Sequence, residues 1–405
     1  MRPDLDLKRP ENARDPYPIY AWLRDHEPVH WSESLEAWVV TRHADVLEVW
    51  DRPADFSSDR FRKLRQEYTS DRPEVLAVAR VLADWLVFRD PPDHTRLRAL
   101  LQKTFTPRQL EKARPRIQSA VDELIDARIA DGAMDFVEAF AFPLPALVIA
   151  LLLGAPAQDI EAIKRWSDQL ASYLGGSLDD EDNFTRARAG VDGLVDYFRR
   201  LLREKRRQPT DDLMGLMLRA EHEGRTLGED EIVSNCILLL FAGHETTTNL
   251  LANGLYHLLR HPAQLARLRA EPTLAPSAVE ELLRYESPVP ASLKIATRDL
   301  SFRGVALRRG DPVLPSLAAA NRDPRQFPDA ERLDLARRPN RHLAFGWGIH
   351  FCLGAPLSRL EATLAFRSLL ERLPDLALES AEPRWRPWLF FRGLETLPVR
   401  WGAGG

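Results

Sequence analysis

The chain has 405 residues, 44% of them hydrophobic and 29% charged, which is ample for a core and excludes a disordered tail or a stapled mini-protein. Lys and Arg number 56 against 60 Asp and Glu, a net charge of −4 that argues against nucleic-acid binding through a strong overall positive field. Two cysteines, Cys236 and Cys352, make no disulfide framework and suit a reducing cytoplasm.

The N-terminal residues are polar and proline-containing, so no signal peptide or membrane anchor is expected to start there. Ala37–Val40 reads as a short strand. From Pro107 to Ala130 the apolar spacing is helical, with Thr106 as cap, Gly132 as stop and a kink or restart at Pro115. The stretch 139–157 is nearly all apolar, but Pro143, Pro145 and Pro156 cut it to a helical piece over Ala146 to Ala155. A membrane span needs roughly 20 residues, so a buried core helix of a soluble protein is expected. Val191, Leu194, Val195, Phe198, Leu201 and Leu202 form one apolar helix face, and the basic run Arg199 to Arg207 reads as its solvated end. The longest helix is expected from Glu229 to Arg260, opened by a capping box from Thr226 to Glu229 and closed before Pro262. Further strands are expected around Leu293 to Thr297, Pro312 to Leu314 and Leu397 to Trp401. No linker, repeat or low-complexity run divides the chain. The expectation is one large, mainly α domain over 1–405, with a small β-sheet region at one side.

Hydrolase and metal readings fail on spacing. His244-Glu245 starts like a zincin helix but has Thr248 where the second His belongs, and His257/His261 lack a catalytic Glu between them. Gly346-Trp-Gly348 is followed by Phe351 where a dinucleotide loop needs its third glycine. Within Phe345-Gly-Trp-Gly-Ile-His-Phe-Cys-Leu-Gly, glycines at 346, 348 and 354 allow tight turns and close approach to a flat partner. A helix is expected to begin near Ala355, so Cys352 lies just before a helix N-terminus, where the dipole favours a thiolate. Such a thiolate suits a nucleophile or an axial ligand to haem iron, while a buried structural cysteine is the commoner outcome for any lone Cys. Cys236, inside an apolar run, fits that structural description.

Phe345-x-x-Gly348-x-x-x-Cys352-x-Gly354 resembles the cysteine-ligand loop of the cytochrome P450 haem-thiolate enzymes, and three further motifs follow the family order. Ala242-Gly243-His244-Glu245-Thr246 interrupts the long helix with a glycine that costs roughly 1 kcal/mol and a Thr able to bond its own helix. The resemblance implies that small residues there admit dioxygen and that Glu245 and Thr246 deliver protons to it. Glu281-Leu-Leu-Arg284 resembles the family's structural Glu-x-x-Arg, with Arg337 as its later partner. Asp93-His94-Thr-Arg-Leu-Arg98 places His94 and Arg98 on one helix face, where the resemblance implies donors to the haem propionates, as for His350. Lys294 stands where bacterial members usually have Arg, so a weaker or water-mediated propionate clamp is expected.

The resemblance implies a soluble, cytoplasmic, monomeric bacterial enzyme that binds haem b through Cys352. The enzyme would take electrons from a ferredoxin and its reductase, activate dioxygen, and hydroxylate or epoxidise a hydrophobic small molecule. Neither nucleic acid nor membrane is an expected partner. The haem contacts implied are His94, Arg98, Ala242, Gly243, Thr246, Lys294, Phe345, Gly346, His350, Cys352 and Gly354. The pocket implied draws on the 60–88 segment (Phe61, Trp85, Leu86, Val87, Phe88), on Leu239 and Ala242, on Val289, Ala291 and Leu293, and on Phe390 and Phe391. Arg108, Lys112 and Arg359 read either as ordinary solvated charges or as a basic surface for an acidic electron carrier. Two alternatives are a peroxide-driven peroxygenase, which would usually lack the Glu245-Thr246 pair, and a catalytically silent haem-binding or sensing member.

Overall fold

A computed structural model describes residues 4–61, 73–175, 181–379 and 382–402. The 62–72 part of the expected pocket segment lies outside these. The chain forms two compact units, one of Met1–Ser57, Val121–Phe142 and Thr246–Gly405, the other of Ser58–Ala120 and Pro143–Glu245. Both are assembled from non-contiguous segments, so no linker in the sequence marks either.

The first unit carries most of the β structure. Its five-stranded sheet runs in the order Val29–Ser32, Ala37–Val40, Pro312–Pro315, Lys294–Ala296, Phe56–Ser57. Ala37–Val40 pairs in parallel with Pro312–Pro315, Val313 opposite Trp38, and every other pairing is antiparallel. Val40, Val46, Val49, Phe56, Phe302, Val313 and Leu343 bury against one another on this sheet. A three-stranded antiparallel sheet of Ala377–Leu378, Pro398–Arg400 and Ala133–Asp135 belongs to the same unit. The strands read from sequence therefore form: Ala37–Val40 as expected, Pro312–Pro315 one residue longer, and the other two shortened to Lys294–Ala296 and Pro398–Arg400.

The second unit is mainly helical. Ile160–Gly175 packs along Glu181–Arg207, and the apolar stripe of the latter (Val191, Leu194, Phe198, Leu201, Leu202) is buried. The apolar stretch near 150 folds as Pro143–Leu153, a helix of 11 residues. Pro143 and Pro145 sit in its first turn, where the missing N–H costs nothing, so they start the helix rather than cut it. Pro115 likewise leaves Pro107–Asp126 as one helix.

The longest helix spans Glu229–Arg260, and the boundary between the units falls within it, after Glu245. Its start differs from the expected box. Thr226 pairs with Glu221 in a short hairpin, and it is Glu231 that accepts from the Gly228 N–H at 2.9 Å. The hairpin holds Thr226, and two residues on Gly228, with no side chain, leaves only the Glu231 half of a capping box. Among the described residues no helix is long and apolar enough to cross a membrane.

Candidate active site

In the first unit the loop before Ala355–Arg372 is closed by the Cys352 N–H, which donates to the Phe345 carbonyl at 2.9 Å. Gly346 (φ +70°) and Gly348 (φ +63°) make the turns between them. Those angles disfavour any other residue, and a Cβ on Gly346 would stand 3.2 Å from the Trp50 ring. Gly354 has an ordinary φ of −83°, and a Cβ there would meet the Cys352 sulfur at an ordinary 3.9 Å, so neither angle nor space requires glycine. Cys352 is in no disulfide and is half-buried, two residues before Gly354, the N-cap of the helix. Phe345 and His350 are half-buried on the same loop.

Trp50, which nothing in the local sequence singles out, organises this loop. It underlies Gly346 and Gly348, meets His350 at 6.4 Å between ring centroids, and carries the Lys294 ammonium 4.0 Å above its ring. Lys294 is only 3% exposed. The Trp50 Nε1–H is buried and has no acceptor among the described residues. A buried cation, a buried donor awaiting an acceptor and a half-buried thiol on a glycine loop fit a flat group that bears carboxylates and binds sulfur. Haem, as the resemblance implies, is such a group.

Beneath the loop, Glu281 and Arg284 are fully buried. Arg284 Nε and Nη2 donate to the two Glu281 oxygens at 2.7 and 2.8 Å, Arg337 Nε adds bonds at 3.1 and 3.2 Å, and Asn340 Nδ2 another at 3.2 Å. Arg284 also caps the carbonyls of Asn321 and Ala330. Next to it, Arg359 bonds Glu280 at 2.6 and 2.8 Å and stacks 4.5 Å from the Phe345 ring. Burial alone would raise Glu280, but Arg359 and His342 hold it down to about 2. Arg359, expected on a docking surface, is therefore committed to bracing the loop.

Also in this unit, Thr247 Oγ1 donates to Ser358 Oγ at 3.2 Å, tying the long helix to the helix that follows Cys352. Thr246 is half-buried one residue earlier. Val289, Ala291 and Leu293 are half-buried, with Ala291 bridged to Ser316. Phe390 and Phe391 are half-buried on a loop fixed by Arg392 N–H to Pro288 O (2.8 Å) and Asn253 Nδ2 to Arg392 O (2.8 Å).

In the second unit, Asp93–Gln102 presents buried His94 and half-buried Arg98 one turn apart. Glu245 is 1% exposed, and Leu239 is buried beside half-buried Ala242. A Cβ on Gly243 would come 3.1 Å from Ile149 Cγ1, so its size also serves helix packing. Trp85 and Leu86 are buried, Phe61 and Phe88 half-buried, and Val87 is 42% exposed. Asn235 fixes them to the long helix, accepting from Leu86 N at 3.1 Å and donating to Asp84 O at 3.0 Å. A lone amide inside the apolar run from Ile232 to Phe241 was the available signal for it.

The residues read as structural behave so. Burial pushes the Cys236 thiol well up, and His261 Nδ1 donates to the His257 carbonyl while His257 Nε2 meets Glu286 at 2.9 Å. Among the described residues no cluster of three His, Cys, Asp or Glu could hold a metal ion.

The family model "Cytochrome P450" matches residues 63–381. The chain is 42% identical over 410 residues to the cytochrome P450 monooxygenase PikC of Streptomyces venezuelae, covering 99% of this chain and 94% of that one. It is 38% identical to the vitamin D(3) 25-hydroxylase of Pseudonocardia autotrophica, covering 96% and 94%. The crystal structure of P450BioI in complex with hexadec-9Z-enoic acid ligated acyl carrier protein matches with a TM-score of 0.90 at 36% identity, covering 97% and 99%. The glycine loop, the buried Glu-Arg-Arg cluster and these likenesses agree: the chain belongs to the cytochrome P450 family of haem-dependent bacterial monooxygenases.

Proposed function

We propose that the Cys352 thiolate would hold the haem iron and that the enzyme inserts one oxygen atom of dioxygen into an apolar substrate, with electrons from a ferredoxin-type carrier in the cytoplasm. The observation that carries this reading is the loop itself: Cys352 bonded back to Phe345, ahead of a helix N-terminus, over two glycines locked against Trp50. When bound, haem supplies the dioxygen chemistry, and thiolate donation favours O–O cleavage.

This chain's own residues supply the rest. Lys294, His350 and Trp50 would offer donors to the propionates; His94 and Arg98 carry that role by the family resemblance alone. Buried Glu245 and the adjacent Thr246 hydroxyl form the proton relay, out of bulk water. By the family resemblance, Trp85, Leu86 and Phe88, and separately Val289, Ala291, Leu293, Phe390 and Phe391, would offer apolar surface to a substrate. Relatives named for vitamin D(3), or crystallised with a fatty acyl carrier protein, are consistent with a hydrophobic molecule here. Trp347, Ile349 and Phe351 are exposed on the cysteine loop and offer an apolar seat for the electron carrier.

Thr246→Ala tests the proton step. The variant should keep its haem and take up electrons, but release several-fold more peroxide and correspondingly less product per electron. Unchanged coupling would overturn the roles of Thr246 and Glu245. Turnover with peroxide alone, and none with ferredoxin, reductase and NAD(P)H, would overturn the electron source.

A further inference from the structure

Buried arginines in this protein have acceptors. Arg284 meets Glu281, Arg392 meets Glu286, Arg322 meets Glu331 and Tyr285 O, and Arg24 meets Ala319 O. Arg60, in the second unit, is half-buried and differs. Its guanidinium lies 4.0 Å over the Phe88 ring and 5.6 Å from that of Phe61, two rings that meet edge-on at 5.1 Å. Its Nε is buried and meets no acceptor among the described residues. No carboxylate among them acts on it; Tyr173 is the one titratable neighbour, and burial pulls the guanidinium down to about 10. A half-buried cation that meets no anion among the described residues is stabilised when a ligand supplies one.

A second orphan donor lies in the same row of rings. Phe88 stacks on Trp85 at 5.9 Å, and Trp85 on Phe241 at 5.8 Å. Trp85 is 2% exposed and its Nε1–H is buried without an acceptor among the described residues. Phe241 immediately precedes Ala242-Gly243, the turn assigned above to dioxygen. The row therefore runs from a guanidinium to the oxygen-binding turn.

We propose that Arg60 anchors the carboxylate of an apolar acid whose carbon body lies along Phe88, Trp85 and Phe241, making Arg60 a specificity-determining residue. This rests on the monooxygenase reading and narrows its substrate class. With Phe88 covering one face, the edge of the guanidinium remains, and its planar fork matches a carboxylate. A phosphate dianion would leave a charge uncompensated beside a single cation, and a neutral ester would leave the cation uncompensated.

The test is calorimetric binding to the haem-loaded enzyme of three acids (hexadecanoic, abietic and lithocholic) against their methyl esters. At least one acid should bind about tenfold or more tighter than its ester. Arg60→Gln should bring that acid down to the ester's affinity, while Arg60→Lys keeps part of the preference. No preference in any pair, including no binding at all, or a preference that survives Arg60→Gln, would overturn the proposal. If Arg60→Gln does not fold, the wild-type pairs and Arg60→Lys decide. The ferrous–carbon monoxide spectrum of the same samples keeps the two readings apart, because a failed thiolate assignment changes that spectrum and leaves the acid–ester comparison readable.

Discussion

Under the Phe345–Gly354 loop, one carboxylate, Glu281, collects two arginines and an asparagine at 2.7 to 3.2 Å, and Arg284 spends its other donors on backbone carbonyls. Beneath Phe88 the corresponding job is done by ring stacking and one amide, Asn235. Charge-assisted bonds fix directions to tenths of an ångström, whereas stacked rings tolerate sliding and exchange of shape. The part proposed to hold the cofactor is thus over-determined, and the part proposed to meet the substrate is held by forces that permit change. That contrast matches a family in which one reaction serves many molecules.

The sharpest way to break the contrast is Glu281→Ala. It strands two buried guanidinium groups, and breaking such a pair costs about 3–5 kcal/mol. Denaturant unfolding should show that loss together with failure to retain haem; a variant within about 1 kcal/mol of wild type with full haem would remove the idea of a rigid cradle.

Asn235→Ala probes the softer side. It leaves the Leu86 N–H without its acceptor and should cost about 1–3 kcal/mol. Haem content should persist while KM for the substrate rises; an effect on haem retention equal to that of Glu281→Ala would erase the distinction.

The smallest effect is expected at Glu280, whose carboxyl is held down to about 2 by Arg359 and His342 against burial. Because its folded value lies below the ordinary one, its stabilisation is fully present above about pH 4.5 and is lost as pH falls through about 2. Glu280→Gln should lower Tm at pH 7, and the gap from wild type should close toward pH 2. A gap independent of pH would mean that packing, not charge, supports Phe345.

The cysteine loop and the long helix were legible because each is written in contiguous residues: glycine spacing in one, uninterrupted apolar periodicity from Glu229 to Arg260 in the other. Trp50 was not, since its contacts to Gly346 and Lys294 join segments far apart in the chain. Arg359 was misread for a related reason. Sequence shows a charge but not the Glu280 that takes it up. Arg60 passed unnoticed because a lone arginine gives no sign of whether water or an aromatic ring covers it. Thr226 shows local signals competing, a hairpin outbidding a cap.

The most direct measurement is the carbon monoxide spectrum of the ferrous enzyme. Axial ligation by the Cys352 thiolate predicts the band position characteristic of sulfur, abolished in Cys352→His. A native spectrum of nitrogen ligation, or one unchanged by that substitution, would contradict the assignment on which the whole site is built.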